Sequence, residues 1–226
     1  MTDAFTIKIC GLSTPQTLDA AIAAGADMVG LVFHPKSPRY VTMATAKSLA
    51  EQARGRAEIV ALTVDWTPEQ ALELVEALSP DLMQLHGRET PEQVAAVAAA
   101  TRRPVMKAIG ISSASDLSAL RGFSEIGARL LLDAKAPKDA AYPGGHGRPF
   151  DWTLLAELDP GLSFMLGGGL DPANVAEAIA IARPSGVDVS SGVESAPGVK
   201  DVGRIEAFVR AAREAAAASL KEARTA

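Results

Sequence analysis

The chain has few of the residues that mark specialised surroundings. Its 226 residues include one cysteine, and aromatic residues make up only 4% of the composition. A single cysteine excludes an internal disulfide, which is typical of proteins kept in a reducing compartment. Because aromatic residues are scarce, the core must be built from Ala, Val, Leu and Ile, and the hydrophobic fraction of 48% is ample for that.

An excess of positive charge and long apolar segments are also missing. The formal net charge is −5, whereas a nucleic-acid-binding surface normally carries a basic stripe. No apolar run reaches the roughly 20 residues that span a bilayer. Met1-Thr2-Asp3-Ala4 lacks the basic and apolar regions of a secretory signal. We therefore expect a cytoplasmic protein without a nucleic-acid or membrane partner.

Metal-ligand spacing is absent as well. The three histidines, His34, His86 and His146, are far apart in the sequence. Structural and catalytic metal sites usually show closely spaced His, Cys or acidic ligands. We therefore expect no metal.

Eight short runs of apolar and β-branched residues alternate with Ala-rich stretches of helical spacing. Such alternation predicts a parallel sheet, because parallel neighbours need a helical crossover. A doubly wound sheet usually stops at five or six strands, whereas eight units in roughly 200–250 residues fit a barrel. We predict one α/β domain over residues 1–226, a single (β/α)8 TIM barrel. The predicted strands are Phe5–Cys10, Asp27–Phe33, Ile59–Val64, Leu82–His86, Val105–Ile109, Arg129–Asp133, Phe164–Gly167 and Val187–Ser190.

Helix starts repeat along the chain. Thr67-Pro68-Glu69-Gln70 and Thr90-Pro91-Glu92-Gln93 each offer a Thr cap, Pro at the first helical position and Gln at the third. Thr14-Pro15 and Asp171-Pro172 predict the same device. The repeat indicates one strand–helix module used eight times.

Polar residues gather where predicted strands end. Side chains alternate between the two faces of a strand, so Lys8 shares a face with Cys10. Gln84 shares one with His86, and Asp188 with Ser190. In a barrel the apolar face packs on the helices and the other face points into the lumen. Polar groups near the C-terminal rim of the lumen indicate an active site.

Two glycine-containing segments follow the last two predicted strands. Gly167-Gly168-Gly169-Leu170 comes after the seventh, and Ser190-Ser191-Gly192-Val193-Glu194 after the eighth. Glycine lets a backbone approach an anion closely, and these two loops form the recurrent phosphate site of barrels. We predict phosphate binding by Gly168, Gly169, Ser191 and Gly192.

Two further loops have features of a binding site. Arg39 lies in a basic loop after the second strand and could hold a carboxylate bidentately, although a solvated surface arginine is the simpler interpretation. The connection from Ala134 to Pro149 is longer than usual for a barrel, and such loops tend to be lids.

Together, motifs spread from residue 8 to residue 194 resemble the phosphoribosylanthranilate isomerase family of tryptophan biosynthesis. The lid differs from the family's usual pattern, since His146 stands where a small Thr or Ser is common. The motifs are Lys8-Ile9-Cys10-Gly11, Gly30-Leu31-Val32-Phe33, Ser37-Pro38-Arg39-Tyr40, Gln84-Leu85-His86-Gly87, Leu131-Leu132-Asp133, Gly167-Gly168-Gly169-Leu170 and Asp188-Val189-Ser190-Ser191-Gly192-Val193-Glu194.

The resemblance implies an Amadori rearrangement of N-(5′-phosphoribosyl)anthranilate to 1-(2-carboxyphenylamino)-1-deoxyribulose 5-phosphate, without a cofactor. It implies Asp133 as the general acid that opens the furanose ring and Cys10 as the general base that takes the C2′ proton. Arg39 would hold the anthranilate carboxylate, and the glycine loops the phosphate. Lys8, His86 and Asp188 complete the expected substrate site. We expect Lys8 to lower the pKa of the Cys10 thiol.

Simpler interpretations of the same residues remain open at this point. A single cysteine is usually an inert small hydrophobic residue, and an Asp at a strand end is often a turn or cap residue. Asp188 could orient a substrate hydroxyl, or it could only pair with Lys8 or Lys107.

Other functions are also compatible with the motifs. The alternatives are another phosphate-binding barrel enzyme, such as a sugar-phosphate epimerase or a lyase, a flavin-binding barrel, or a non-catalytic barrel that binds a phosphorylated ligand. We expect a small phosphorylated molecule as substrate, and a monomer or homodimer.

Overall fold

A computed structural model of the chain describes residues 5–136, 144–145, 147, 149–159 and 161–225. Eight parallel strands form a closed barrel in which each pairs with the next and β8 pairs with β1. This confirms the predicted (β/α)8 barrel, and every predicted strand is found within two residues of its predicted ends. The strands are β1 (Thr6–Cys10), β2 (Met28–Val32), β3 (Glu58–Thr63), β4 (Leu82–Leu85), β5 (Val105–Ile111), β6 (Arg129–Ala134), β7 (Phe164–Leu166) and β8 (Gly186–Val189).

Helices cover the outside of the barrel. The predicted starts at Thr14, Thr67 and Thr90 are confirmed, and the last two form full capping boxes with Gln70 and Gln93. The helices are α1 (Pro15–Ala24), α2 (Met43–Ala53), α3 (Pro68–Leu78), α4 (Pro91–Thr101), α5 (Leu120–Glu125), α6 (Val175–Ala182) and α7 (Val202–Thr225).

The strand–helix repeat is less regular than predicted in its sixth and seventh units. Among the described residues after β6, the helix is a short 3₁₀ turn, Trp152–Glu157. It ends at Glu157, and Leu158 follows in an extended conformation. Asp171-Pro172 does not open a helix. Asp171 instead accepts the backbone N–H groups of a turn, and α6 begins at Val175.

Because side chains alternate between the two faces of each strand, the barrel has two separate apolar regions. Ile7 and Ile9 belong to the large core between strands and helices. A second cluster, made by the opposite faces of the strands, includes Met28, Val60 and Leu131 and fills the lumen. The polar residues at the strand ends lie above this lumen layer. The alternation of the sequence therefore determines which side chains can reach the site.

The chain continues beyond β8 into a hairpin and a long helix. A 3₁₀ turn (Ser191–Val193) leads into the antiparallel strands β9 (Glu194–Ala196) and β10 (Val199–Lys200), and α7 follows and packs against α1 and α6. The hairpin places Glu194 and Lys200 side by side at the rim. Over the described residues, no helix combines the length and apolar character that a membrane-spanning segment requires.

Candidate active site

Lys8, Cys10 and Asp188 form the centre of the site. Lys8 Nζ donates to Asp188 Oδ1 at 2.8 Å, and both side chains are buried. Cys10 lies one step further along the same face of β1 and is 4% exposed. Gly30 on β2 leaves room for them, since a Cβ there would stand 3.0 Å from Cys10 Sγ and 3.2 Å from Lys8 Nζ. Asp188 therefore pairs with Lys8.

The expected lowering of the Cys10 pKa is wrong. Burial raises the pKa of the Cys10 thiol, and although Lys8 and Lys200 oppose this rise, the Asp188 carboxylate adds to it. The cation predicted to activate the thiol is largely neutralised by its own ion pair. Burial alone would lower the pKa of Lys8, but Asp188 and Cys10 outweigh burial and raise it. Cys10 is consequently a thiol at neutral pH, next to a firmly protonated Lys8.

Asp133 and His86 face each other across the rim. His86 Nε2 lies 3.2 Å from Asp133 Oδ2, and Asp133 Oδ1 accepts the backbone N–H of Ala134 at 2.8 Å. The other ring nitrogen of His86 lies 3.2 Å from the Gln84 side-chain amide. Gln84 on β4 thus contacts one ring nitrogen of His86, and the other ring nitrogen contacts one oxygen of the predicted acid. This contact agrees with the prediction that Gln84 and His86 lie on the same face of their strand.

Arg39 is buried, so it is not a solvated surface arginine. It is 4% exposed and forms a bidentate pair with Glu194, with Nε to Oε1 at 2.7 Å and Nη2 to Oε2 at 2.9 Å. Its Nη2 also donates to the Gly145 carbonyl at 3.2 Å. The bidentate edge predicted to hold a substrate carboxylate is therefore occupied by Glu194.

The two predicted phosphate loops contact one another. Gly168 (φ 81°) and Gly169 (φ 71°) are left-handed, a conformation that favours glycine. A Cβ on Gly168 would stand 2.7 Å from Asp133 Oδ1 and overlap the Ala134 N–H. A Cβ on Gly192 would overlap the Leu170 carbonyl. The fold therefore places the four predicted residues, Gly168, Gly169, Ser191 and Gly192, together at the rim beside the predicted acid.

One cavity at the C-terminal ends of the strands joins most of these groups. Lys8 lies beneath it, and the four predicted phosphate residues are beside it, not among its described lining. Val32, Leu62 and Val64 form an apolar wall next to Cys10. Five of the six residues predicted for catalysis or substrate binding line this cavity: Cys10, Arg39, His86, Asp133 and Asp188.

Part of the predicted lid closes over the cavity. A Cβ on Gly144 would stand 2.8 Å from His86 Nε2 and 3.1 Å from Asp133 Oδ2. Gly145 lies against the Arg39 guanidinium. The remainder of the predicted lid, residues 137–143, 146 and 148, lies outside the described residues, so the prediction about His146 stays untested.

Several polar residues of the site were missed from the sequence. His34 and Ser37 line the cavity, and His34 Nε2 is buried without a partner among the described residues. The sequence indicates Glu194 only as part of the predicted phosphate motif, and no predicted motif includes Lys200. In the sequence, Glu194 and Lys200 are an acidic residue and a lysine on either side of a Pro-Gly turn. This pattern is weak evidence for a site, because such turns are common.

The alternative in which Asp188 pairs with Lys107 is wrong. The neighbours of Lys107, Met106 and Ala108, face the lumen, so Lys107 points toward the helices. There its Nζ donates to Glu89 and to the Gly87 carbonyl, each at 2.8 Å. Lys107 therefore steadies the loop after His86 and does not pair with Asp188.

The fold and the cavity together define a class of protein. In closed parallel barrels of this kind, substrates bind at the carboxyl ends of the strands. Here that end holds a thiol, a carboxyl, an imidazole and a guanidinium in one cavity. Within the described residues, no three His, Cys, Asp or Glu side chains are placed to hold a metal ion. The protein is a (β/α)8-barrel enzyme.

The chain belongs to the N-(5′-phosphoribosyl)anthranilate isomerase family. Residues 7–211 match the family model described as N-(5′-phosphoribosyl)anthranilate (PRA) isomerase. The chain is 55% identical over 217 residues to the N-(5′-phosphoribosyl)anthranilate isomerase of Nitrobacter hamburgensis, covering 96% of each chain. The resemblance inferred from the motifs is thereby confirmed.

Solved structures give the same result. The phosphoribosyl anthranilate isomerase of Thermotoga maritima is 36% identical, with a TM-score of 0.83 over 93% of this chain and 99% of that one. A second solved phosphoribosyl anthranilate isomerase, 34% identical with a TM-score of 0.80 over the same shares, is a complex with reduced 1-(o-carboxyphenylamino)-1-deoxyribulose 5-phosphate. These findings confirm the prediction of an isomerase of tryptophan biosynthesis and decide against the epimerase, lyase, flavin and non-catalytic alternatives.

Proposed function

We propose that this barrel isomerises N-(5′-phosphoribosyl)anthranilate with Asp133 as the general acid and Cys10 as the general base. The observation that carries the proposal is that Cys10 and Asp133, 123 positions apart in the numbering, line one cavity with Arg39 between the lid and the barrel. Acid–base catalysis needs both groups within reach of one substrate. No other described thiol is present, since the chain has a single cysteine.

The proton balance of the reaction assigns each group one task. Asp133 gives a proton to the furanose ring oxygen, the bond from that oxygen to C1′ breaks, and the anthranilate nitrogen forms an iminium with C1′. Because Cys10 is a thiol before the reaction, its proton first passes to solvent, and the resulting thiolate takes the proton from C2′, which leaves an enolamine. The enolamine tautomerises to the ketone, and the proton on the sulfur returns to Asp133 through solvent or product before the next turnover.

The lining of the cavity supports one orientation of the substrate. An aromatic ring fits against the apolar wall of Val32, Leu62 and Val64, since burying such a ring is favourable. Its carboxylate then faces Arg39, while the phosphate extends toward Gly168 and Ser191. Anchoring at both ends places the sugar between Cys10 and Asp133, and positioning of this kind can contribute much of a rate acceleration.

Loss of the substrate's anthranilate fluorescence, followed with purified protein, tests the proposal. Cys10→Ala and Asp133→Asn should each reduce kcat by about 10²–10⁴-fold while keeping the wild-type circular dichroism spectrum. Lys47→Met, on the exposed face of α2, is the matched surface control. Wild-type kcat in either site variant would remove that residue from its proposed role.

Three further properties belong to the proposal. Residues 1–226 form one barrel domain, which the packing of α7 on α1 and α6 supports. The enzyme acts in the cytoplasm, consistent with its lone free cysteine. It is a monomer or a homodimer, and light scattering coupled to size-exclusion chromatography distinguishes the two.

A further inference from the structure

The carboxylate of Glu194 is shared by two buried cations. Its Oε1 accepts from Arg39 Nε and from Lys200 Nζ, both at 2.7 Å. Its Oε2 accepts from Arg39 Nη2 at 2.9 Å and from the Gly198 backbone N–H at 3.2 Å. Arg39, Glu194 and Lys200 are all buried. We call these three residues the rim trio.

The rim trio carries one unit of positive charge. Lys200 Nζ donates to three oxygens, those of Glu194, the Ser190 carbonyl and the Ser190 hydroxyl, at 2.7–3.2 Å. Three acceptors match the three N–H groups of an ammonium ion. Burial would raise the pKa of Glu194, but Arg39 and Lys200 outweigh burial and lower it. Burial lowers the pKa of Lys200, and its contact with Glu194 opposes this. With Lys200 held as an ammonium ion by its three acceptors, the formal charges of the three residues sum to +1.

The rim trio is also tied to the strand that carries the predicted base. Ser190 Oγ, which accepts from Lys200, donates to the Cys10 carbonyl at 3.1 Å. The β9–β10 hairpin packs back on the loop of Arg39, because a Cβ on Gly198 would overlap the Pro38 carbonyl. The trio therefore connects the loop after β2 with the ends of β1 and β8.

We propose that Glu194 and Lys200 are positioning residues for the substrate carboxylate, which they act on through Arg39. Glu194 fixes the plane of the guanidinium by its bidentate contact, which a single-point contact could not do. Lys200 offsets the charge of Glu194, so that Arg39 still attracts an anion. This inference rests on the proposed function, in which Arg39 holds the anthranilate carboxylate.

The net charge of the rim trio distinguishes this proposal from a role in which Glu194 and Lys200 only stabilise the fold. Replacing Lys200 by Met, of similar length, makes the rim trio neutral. Replacing Glu194 by Gln gives it two positive charges but loosens Arg39. The double variant Glu194→Gln/Lys200→Met returns the net charge to +1. Support of the fold alone would make the double variant the worst of the three.

Titration calorimetry at neutral pH, with each of the two halves of the product as ligand, tests the proposal. Anthranilate carries the carboxylate, and ribulose 5-phosphate carries the phosphate. Lys200→Met should weaken anthranilate binding about tenfold, as expected for loss of one favourable charge contact, and leave ribulose 5-phosphate binding unchanged. In turnover it should raise KM more than it lowers kcat. Lys200→Arg should restore binding, and Lys47→Met is the surface control.

The double variant gives the decisive comparison. It should bind anthranilate more tightly than Lys200→Met does. Equal weakening of both ligands in Lys200→Met, or no weakening of anthranilate, overturns the proposal. If Lys200→Met does not fold, the double variant and Glu194→Gln still test it, because only the double variant has the wild-type net charge. A wild-type protein that binds both ligands but does not turn over the substrate contradicts the proposed function instead.

Discussion

Lys8 and Asp188 form a buried ion pair of 2.8 Å between β1 and β8, the first and last strands of the barrel. The two residues are direct register partners where these strands pair. The pair therefore joins the strands that close the barrel, at the level just below Cys10. The Lys8–Asp188 ion pair therefore both joins the strands that close the barrel and influences the pKa of Cys10, the predicted base.

Breaking this pair should strongly destabilise the fold. Lys8→Met leaves the Asp188 carboxylate buried without a partner, and such changes typically cost about 3–5 kcal/mol. Urea unfolding followed by circular dichroism measures the loss. The exposed pair of Arg121 and Glu125 on α5 is the matched control, and Arg121→Met should leave the unfolding midpoint nearly unchanged. Similar midpoints for both variants would contradict the importance assigned to Lys8.

The reactivity of Cys10 should depend on pH with a midpoint above the ordinary value of 9.0, because burial raises its pKa. Only the thiolate reacts with iodoacetamide, so the alkylation rate should rise with pH and reach its plateau late. Cys10 is the only cysteine, so the signal needs no assignment. The urea-unfolded chain is the control and should show an ordinary midpoint. A plateau below pH 9 in the folded protein would mean that Lys8 dominates after all.

His86 should act through Asp133. His86→Ala removes the ring that lies 3.2 Å from Asp133 Oδ2, and misplacing a catalytic group can lower kcat by up to about 10²-fold. The KM should change less, because the carboxylate and phosphate contacts remain. Steady-state kinetics of the double variant His86→Ala/Asp133→Asn provides the check. It should be no slower than Asp133→Asn alone, and a further large loss would show that His86 acts on the substrate independently.

Gly168 should tolerate no side chain for two separable reasons. Its positive φ costs about 1–2 kcal/mol in any residue with a Cβ, and a Cβ would also crowd Asp133. Gly127 has a similar φ of 77°, but nothing lies within 4 Å of its Cβ position. Gly168→Ala should therefore lower both the melting temperature and ribulose 5-phosphate affinity, whereas Gly127→Ala should lower only the melting temperature. Equal phosphate affinity in the two variants would remove Gly168 from the phosphate site.

The strands and most helix starts could be predicted because their signals are local. The alternation in Lys8-Ile9-Cys10 places the polar residues on one face whatever the rest of the chain does. The Thr-Pro-Glu-Gln starts satisfy their own backbone N–H groups. Asp171-Pro172 failed as a helix start because the same side chain can cap a turn, and sequence does not distinguish the two.

The amino-acid sequence by itself determined the barrel, the faces of its strands and the residues at their C-terminal ends, since periodicity and capping act within a few residues. Only the tertiary structure decided which charges meet. Arg39 pairs with Glu194, Asp188 with Lys8, and Lys107 with Glu89, across 155, 180 and 18 positions. The pKa of Cys10 depends on the same pairings, because burial and the loss of a free cation are properties of the folded neighbourhood and not of the strand that carries it.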